Sequence, residues 1–280
     1  MIRVLIPTDF SENAFNAIRY AMELLKYQKS EFLVVNCFAD DVYANTLEMS
    51  REFFDLYKDK AKEAIERSLQ GVIAEMLEIS PNPRHNYDYR ASFQSLVDMC
   101  NDMANKEDLD LIIMGTKGKT DHSEVTFGSQ ALQVAKYVKC PVLMVPVAYH
   151  KNPPENVLFP TDYQVPYKRR ELKLLHTLSN NFNAHTQFLH LSKSQGLSHR
   201  QEDNKRFLDS CLQERTSHIH LMGDNLTEAI NHAIANDGIN LLVMVNSRHS
   251  YMESLLENST IDAMGLHVKI PFLIMQNLSR

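Results

Sequence analysis

The sequence predicts two tandem α/β domains, each a doubly wound parallel sheet with helices on both faces. Three observations carry that prediction. The chain repeats itself, each copy alternates short apolar runs with longer amphipathic stretches, and most of the apolar runs lack the in–out alternation of a half-exposed sheet.

The repeat comes first, because it sets the frame for everything else. Val4-Leu5-Ile6-Pro7-Thr8-Asp9-Phe10 returns as Val157-Leu158-Phe159-Pro160-Thr161-Asp162-Tyr163, an offset of 153. Asp110-Leu111-Ile112-Ile113-Met114 returns as Asn240-Leu241-Leu242-Val243-Met244, and Lys139-Cys140-Pro141-Val142-Leu143-Met144 as Lys269-Ile270-Pro271-Phe272-Leu273-Ile274, both at 130. The stretch between these last two aligns without a gap, so the second copy lacks 23 residues between its first and fourth strands. A polar linker, Ala148-Tyr149-His150-Lys151-Asn152-Pro153-Pro154-Glu155, separates domains expected at 1–148 and 155–280; it is short enough that the copies should pack closely.

In the first copy, strands are predicted near 2–7, 31–37, 85–89, 110–114 and 142–146, and helices near 11–27, 50–77, 94–106 and 127–138. The second helix carries Phe53, Phe54, Tyr57, Ala61, Ala64, Ile65, Leu69, Val72, Ile73 and Met76 at helical spacing, which reads as an amphipathic packing helix. In the second copy, strands are predicted near 156–160, 185–191, 217–222, 240–245 and 271–275. Its second helix, near 198–214, is shorter and accounts for most of the missing residues.

Composition narrows the function classes. The hydrophobic share of 44% and charged share of 23% are those of a soluble globular chain. A net charge of −6, with no basic stripe carrying interleaved aromatics, argues against a nucleic-acid partner. The N-terminus enters a strand pattern at once and reads as having no signal peptide. No apolar run approaches the roughly 18 residues a membrane helix needs. Cys37, Cys100, Cys140 and Cys211 form no CxxC pair, so reduced thiols and a cytoplasmic location are expected.

The stretch with chemical character follows the fourth strand: Met114-Gly115-Thr116-Lys117-Gly118, nine residues, then Gly128-Ser129. Open α/β sheets bind ligands at the carboxyl ends of their strands, glycines there permit positive φ and close backbone approach, and a helix N-terminus suits an anion. Ser129 is expected to cap the helix or donate to a phosphate oxygen. Singly, these residues read as a tight turn and a plain cap; together the spacing Gly-x2-Gly-x9-Gly-Ser points to a di- or triphosphate. Gly118-Lys119-Thr120 imitates the end of a P-loop, but Ile113 stands where that motif needs glycine. Lys117, Lys119 and His122 are candidates to meet phosphate charge, with solvated loop residues as the alternative.

This combination of element order, opening Pro-Thr-Asp and glycine spacing resembles the universal stress protein family in its tandem two-domain form, over about 2–147 and 156–276. The resemblance implies a five-strand sheet of order 3-2-1-4-5 in each copy, of the adenine nucleotide alpha hydrolase type. It further implies ATP, with or without Mg2+, held in the N-terminal copy. Pro7, Thr8 and Asp9 would border the adenosine, Cys37 would meet the adenine edge through its backbone, Met114 would line the base pocket, and Gly115, Gly118, Gly128 and Ser129 would hold the phosphates. It also implies a homodimer of tandem chains, paired through the fifth strands.

One departure stands in the first copy: Arg90-Ala91-Ser92-Phe93-Gln94 lacks the glycine–acidic start that Gly223-Asp224-Asn225 supplies in the second. Arg90 either crowds the pocket or lends it charge, and Phe93 is a second candidate plug. In the second copy, Val245, Arg248 and Asn258 replace the three glycines while Ser259 and Asp162 remain. A β-branched valine resists positive φ, so that copy is expected to lose the phosphate seat and serve as a built-in structural partner.

The other constellations are weaker. His218-x-His220 projects two rings to one face of a strand, a possible zinc grip without a third ligand. No Gly-x-Ser-x-Gly elbow or paired-carboxylate arrangement occurs. The functional expectation is therefore a regulatory stress-response protein that loads ATP in its first copy and turns it over slowly or not at all, acting on an unknown protein partner. The alternative is an interaction scaffold of the same fold that binds no nucleotide.

Overall fold

A computed structural model describes the chain except residues 119–126, 151–153, 195, 213–214, 248–249, 258–265, 267 and 278–280. Lys119, Thr120, His122, Arg248, Asn258, Ser259 and part of the linker therefore lie outside the described residues. The first half runs β1 (Ile2–Pro7), α1 (Glu12–Leu24), β2 (Ser30–Cys37), α2 (Ala39–Thr46), α3 (Arg51–Ile79), β3 (His85–Ser92), α4 (Leu96–Lys106), β4 (Leu111–Gly115), α5 (Ser129–Tyr137) and β5 (Val142–Val145). The second runs β6 (Asn156–Pro160), α6 (Arg169–Phe182), β7 (His185–Ser192), α7 (His199–Leu212), β8 (Thr216–Met222), α8 (Leu226–Asn236), β9 (Leu241–Asn246), α9 (Tyr251–Glu257) and β10 (Phe272–Gln276).

Local chemistry starts several helices where the sequence marks them. Ser11, Ser95 and Asn225 each accept a backbone N–H three residues on, at 3.2, 3.2 and 3.1 Å, and so cap α1, α4 and α8. Helix α2 falls where only a connection was expected. It has eight residues and no counterpart in the second half, and α3 has 29 residues against 14 for α7. These two differences match the 23 missing residues, and the shorter α7 accounts for most of them, as expected.

All ten strands form one sheet of order β3-β2-β1-β4-β5-β10-β9-β6-β7-β8. Each half repeats the order 3-2-1-4-5 with parallel pairing. The halves meet through β5 and β10, which pair antiparallel with Leu143 opposite Leu273. This corrects the expected route of dimerisation: β5 already lies between β4 and β10, and β10 between β5 and β9, so neither fifth strand has an edge for another chain. The join also turns the second half end for end, so the carboxyl ends of the two sets of strands point in opposite directions.

The central strands are buried on both faces, with β4, β5 and β10 enclosed along their whole length. The outer strands β3 and β8 depart from the expectation of double cover; they are sheet edges and alternate or stay half-exposed. Side chains reinforce the central join. Gln276 Nε2 donates to Ala135 O at 2.9 Å, Asn246 Nδ2 donates to Gln276 Oε1 at 3.0 Å, and Phe127 meets Phe272 edge-on at 5.9 Å. The linker is likewise held: Asn16 Nδ2 donates to the carbonyls of Pro146 and Tyr149, and buried Tyr149 packs edge-on against Tyr20.

Helix α3 corrects the packing-helix reading. Only Leu69, Val72 and Met76 are buried, all in its second half, while Phe53 is 65% exposed and Leu56 50%. The helix runs past the sheet, and its first turns pack on α2 and Phe93.

Because β5 depends on β10 to cover its edge, residues 1–148 expressed alone are expected to self-associate where the full chain shows no strand-mediated association. Sedimentation velocity on both would check this; a strictly monomeric fragment with native circular dichroism contradicts it.

Candidate functional site

At the carboxyl end of β1 the chain makes the same turn in both halves. Phe10 and Tyr163 adopt left-handed backbone, φ 60° and 57°, which bulky residues rarely do. Threonine and aspartate hold the turn. Thr8 Oγ1 accepts from Phe10 N at 3.0 Å and Asp9 Oδ1 from Ser11 N at 3.0 Å; Thr161 and Asp162 repeat both bonds at 2.9 and 2.8 Å. The repeated Pro-Thr-Asp therefore has a structural cause that operates in both halves, including the one in which Asp162 outlives the glycines.

A donor from the neighbouring strand completes the turn, and the sequence reading passed over it. Asn36 Nδ2 donates to Thr8 O at 2.8 Å, and His190 Nδ1, at the matching register of β7, donates to Thr161 O at 2.9 Å. Cys37 follows Asn36 at the end of β2, half-buried. Burial, with the nearby Asp40 carboxylate adding to it, pushes its thiol up to about 12, so it offers backbone and packing rather than a reactive thiolate.

Beside β1, strand β4 ends at buried Met114 and Gly115. Gly115 does not use positive φ, which corrects the reason given for it and for its loss in the second half. It is required for close approach: a Cβ there would sit 2.6 Å from Asn13 Nδ2 and 2.8 Å from Asn13 Cγ. Asn13, on α1, donates from Nδ2 to Lys117 O at 2.7 Å and so anchors the start of the loop, while its buried Oδ1 has no partner. At the offset of 130 Gly115 becomes Val245, and the strand there runs on through Asn246. Sequence reasoning missed Asn13 and Asn16, although two buried amides three residues apart among Ala14, Ala17 and Ile18 were the available signal.

The loop closes by Gly128 N donating to Thr116 O at 2.7 Å, with Thr116 N bound to Val145 O at 3.1 Å. Gly128 is the N-cap of α5, at φ −73° and ψ 160°, and makes no side-chain cap bond. Ser129 is the first helical residue and exposed, so it does not cap the helix. The first-turn N–H groups of α5 have no intrahelical acceptor and face the end of β4. Gly118 is exposed where the described part of the loop ends. Pro7, Thr8, Asp9, Cys37, Met114, Gly115, Gly118, Gly128 and Ser129 thus all lie at one end of the sheet, around the point where β1 separates β2 from β4.

Both residues suspected of obstructing that point have partners of their own. Arg90 turns toward α4, with Nη1 3.3 Å from Glu107 Oε1 and 3.3 Å from Met103 Sδ. Phe93 belongs to an aromatic group with Phe38, Tyr43 and Phe54, under the Lys58 ammonium.

In the second half the matching end holds a cavity of about 180 Å³, bounded in part by Thr161, Asp162, Met244, Val245 and Tyr251. Asp224 on its rim is tied to Lys193 at 2.7 Å. The candidate zinc pair is otherwise engaged. His218 lies between Tyr163 OH at 2.7 Å and Asp209 Oδ1 at 2.8 Å, and the His220 ring packs on His190 at 5.2 Å. Among the described residues no group of three His, Cys, Asp or Glu side chains is placed to hold a metal ion, and no helix is long and apolar enough to cross a membrane.

The profile of the Universal stress protein family matches residues 1–146. The chain belongs to the universal stress protein family. Among named relatives, Universal stress protein MJ0577 of Methanocaldococcus jannaschii is 24% identical over 155 residues, covering 51% of this chain and 93% of that protein. Universal stress protein MJ0531 of the same organism is 28% identical over 147 residues, covering 51% and 81%. A solved universal stress protein from Archaeoglobus fulgidus shares the fold along the whole length, at a TM-score of 0.66 and 16% identity, over 98% of this chain and 96% of that one.

Substituting Gly115 with valine is expected to destabilise the chain by about 1–3 kcal/mol through the Asn13 clash. Asn13→Ala in the same chain should recover at least half of that loss. Urea denaturation of the two single variants and the double variant measures the coupling; additive effects would remove Asn13 as the reason for the glycine. In the native chain at pH 8, Cys37 should react with iodoacetamide far more slowly than a free cysteine, and its rate should climb only as the pH approaches 12. Mass-spectrometric counting of labelled sites over time tests this.

Proposed function

We propose that the protein is a cytoplasmic stress-response regulator that binds ATP, or another adenine nucleotide, at the carboxyl ends of β1 and β4 in its first half. A second copy of the chain and a downstream protein would be its partners. The observation that carries this reading is the closure of the loop onto α5 by Gly128 N and Thr116 O, which sets the start of that helix at the end of β4, with first-turn N–H groups that have no acceptor within the helix. Such an array, with two glycines adjoining it, suits phosphate oxygens. Pro7, Thr8 and Asp9 would then border the adenosine, with Cys37 presenting backbone to the base, Met114 lining its pocket, and Gly115, Gly118, Gly128 and Ser129 around the phosphates. The nucleotide would bring any Mg2+ with it.

Turnover is proposed to be slow or absent. The loop supplies position and partial charge, and this reading assigns no group as the base that activates water. In the second half Val245 takes the place of the first glycine, so the nucleotide is assigned to the first half alone.

One observation favours the scaffold reading instead. Thr8, Asp9 and Gly115 each have a complete structural reason within the fold. Calorimetry with ATP separates the two readings. Wild type is expected to bind, and Gly118→Val to bind at least tenfold more weakly with an unchanged melting temperature. Absence of heat with wild type, together with no nucleotide released from freshly purified protein in a mass spectrum, would favour the scaffold.

A further inference from the structure

The first half carries an apolar face that nothing in the chain covers. Helix α3 exposes Phe53 (65%), Leu56 (50%) and Tyr57 (38%) in its first turns. Spacings of three and four residues continue that face through Lys60, Ala64, Arg67, Ser68 and Gly71, all of them exposed. The face is thus a cluster of three large apolar side chains at its start, a charged middle and a small end. Three large apolar side chains together in water mark a contact surface. The tip is firmly built, because Tyr43 and Phe54 pack on Phe93 beneath it, with ring centroids 5.4 and 6.1 Å away.

Gly71 sharpens the case. A glycine inside a helix costs about 1 kcal/mol relative to alanine, so it calls for a reason. The chain itself supplies none: a Cβ at Gly71 would meet nothing within 4 Å.

We infer that α3 is the contact surface for a second copy of this chain, paired antiparallel about a two-fold axis near residue 62. In that register Phe53 of one copy lies over Gly71 of the other, Lys60 over Ala64, and the Tyr57 ring over Arg67 and Ser68, where the guanidinium can stack on it. The charges match as well. Lys60 stands beside Glu63 of the other copy, and the symmetry makes the pair twice; within one chain neither side chain forms an ion pair among the described residues. A two-fold axis demands such self-complementarity, because each patch must fit its own image. The second half cannot form this contact, since α7 has 14 residues and no protruding turns.

The inference gives a surface to the self-association proposed above and is independent of nucleotide binding. Sedimentation equilibrium of the full chain should show a mass twice its 32.2 kDa. Gly71→Leu, which fills open space in the single chain and favours helix, should weaken the dimer at least tenfold without lowering the melting temperature measured at low concentration. Lys60→Glu and Glu63→Lys should each weaken it as well, and the double exchange should restore it. A monomeric wild type would overturn both the association and its surface. A dimer indifferent to all of these substitutions would keep the association and overturn α3 as its surface.

Discussion

The antiparallel pairing of β5 with β10 is the constraint on which the rest of the architecture depends. A five-strand parallel sheet of order 3-2-1-4-5 ends in an exposed fifth strand, whose unpaired N–H and C=O groups invite another chain. Here the chain supplies its own second sheet, and both fifth strands become interior. The ten-strand sheet that results has edges only at β3 and β8, and these are the strands with mixed exposure. Gln276 illustrates the consequence. It is a buried amide in the last strand, satisfied by Asn246 of its own half and by the Ala135 carbonyl of the other.

The same join frees the two strand-end clefts to differ. They open in opposite directions, although α5 and α9 meet across the join and Phe127, next to Gly128, packs on Phe272. In the first, Asn13 reaches Lys117 O and demands glycine at 115; in the second, Val245 stands at the matching position and the strand runs on through Asn246. The two halves nevertheless share the turn built by threonine and aspartate around a left-handed aromatic residue. Asn36 and His190 do the same work there with different chemistry, each donating to the threonine carbonyl. A motif shared between two repeats therefore reports first on the backbone it must hold, and only its unshared surroundings speak to a ligand.

The asymmetry between the halves lies mainly in one place. The residues absent from the second half are α2 and the protruding turns of α3, and those turns expose Phe53, Leu56 and Tyr57 side by side. Surplus length, apolar exposure and an unexplained interior glycine coincide on one helix, whereas the buried second half of that helix packs as its pattern implies.

Much of this was legible in the residues alone. The repeat offsets, the ten strands and the ends of most helices follow from apolar periodicity and capping residues, because these depend on neighbours within a few positions of the chain. The gathering of Pro7, Thr8 and Asp9 with Met114, Gly115 and Gly128 was legible too, since parallel strands of an open sheet bring their carboxyl ends to one side. What only the tertiary structure decided are the contacts between residues far apart in sequence: Leu143 against Leu273, Asn13 against Gly115, Arg90 turned toward Glu107 and away from the strand ends. The exposure of Phe53 and Tyr57 belongs with these. A helical stripe records that one face is apolar, and only the surrounding fold determines whether anything lies against it.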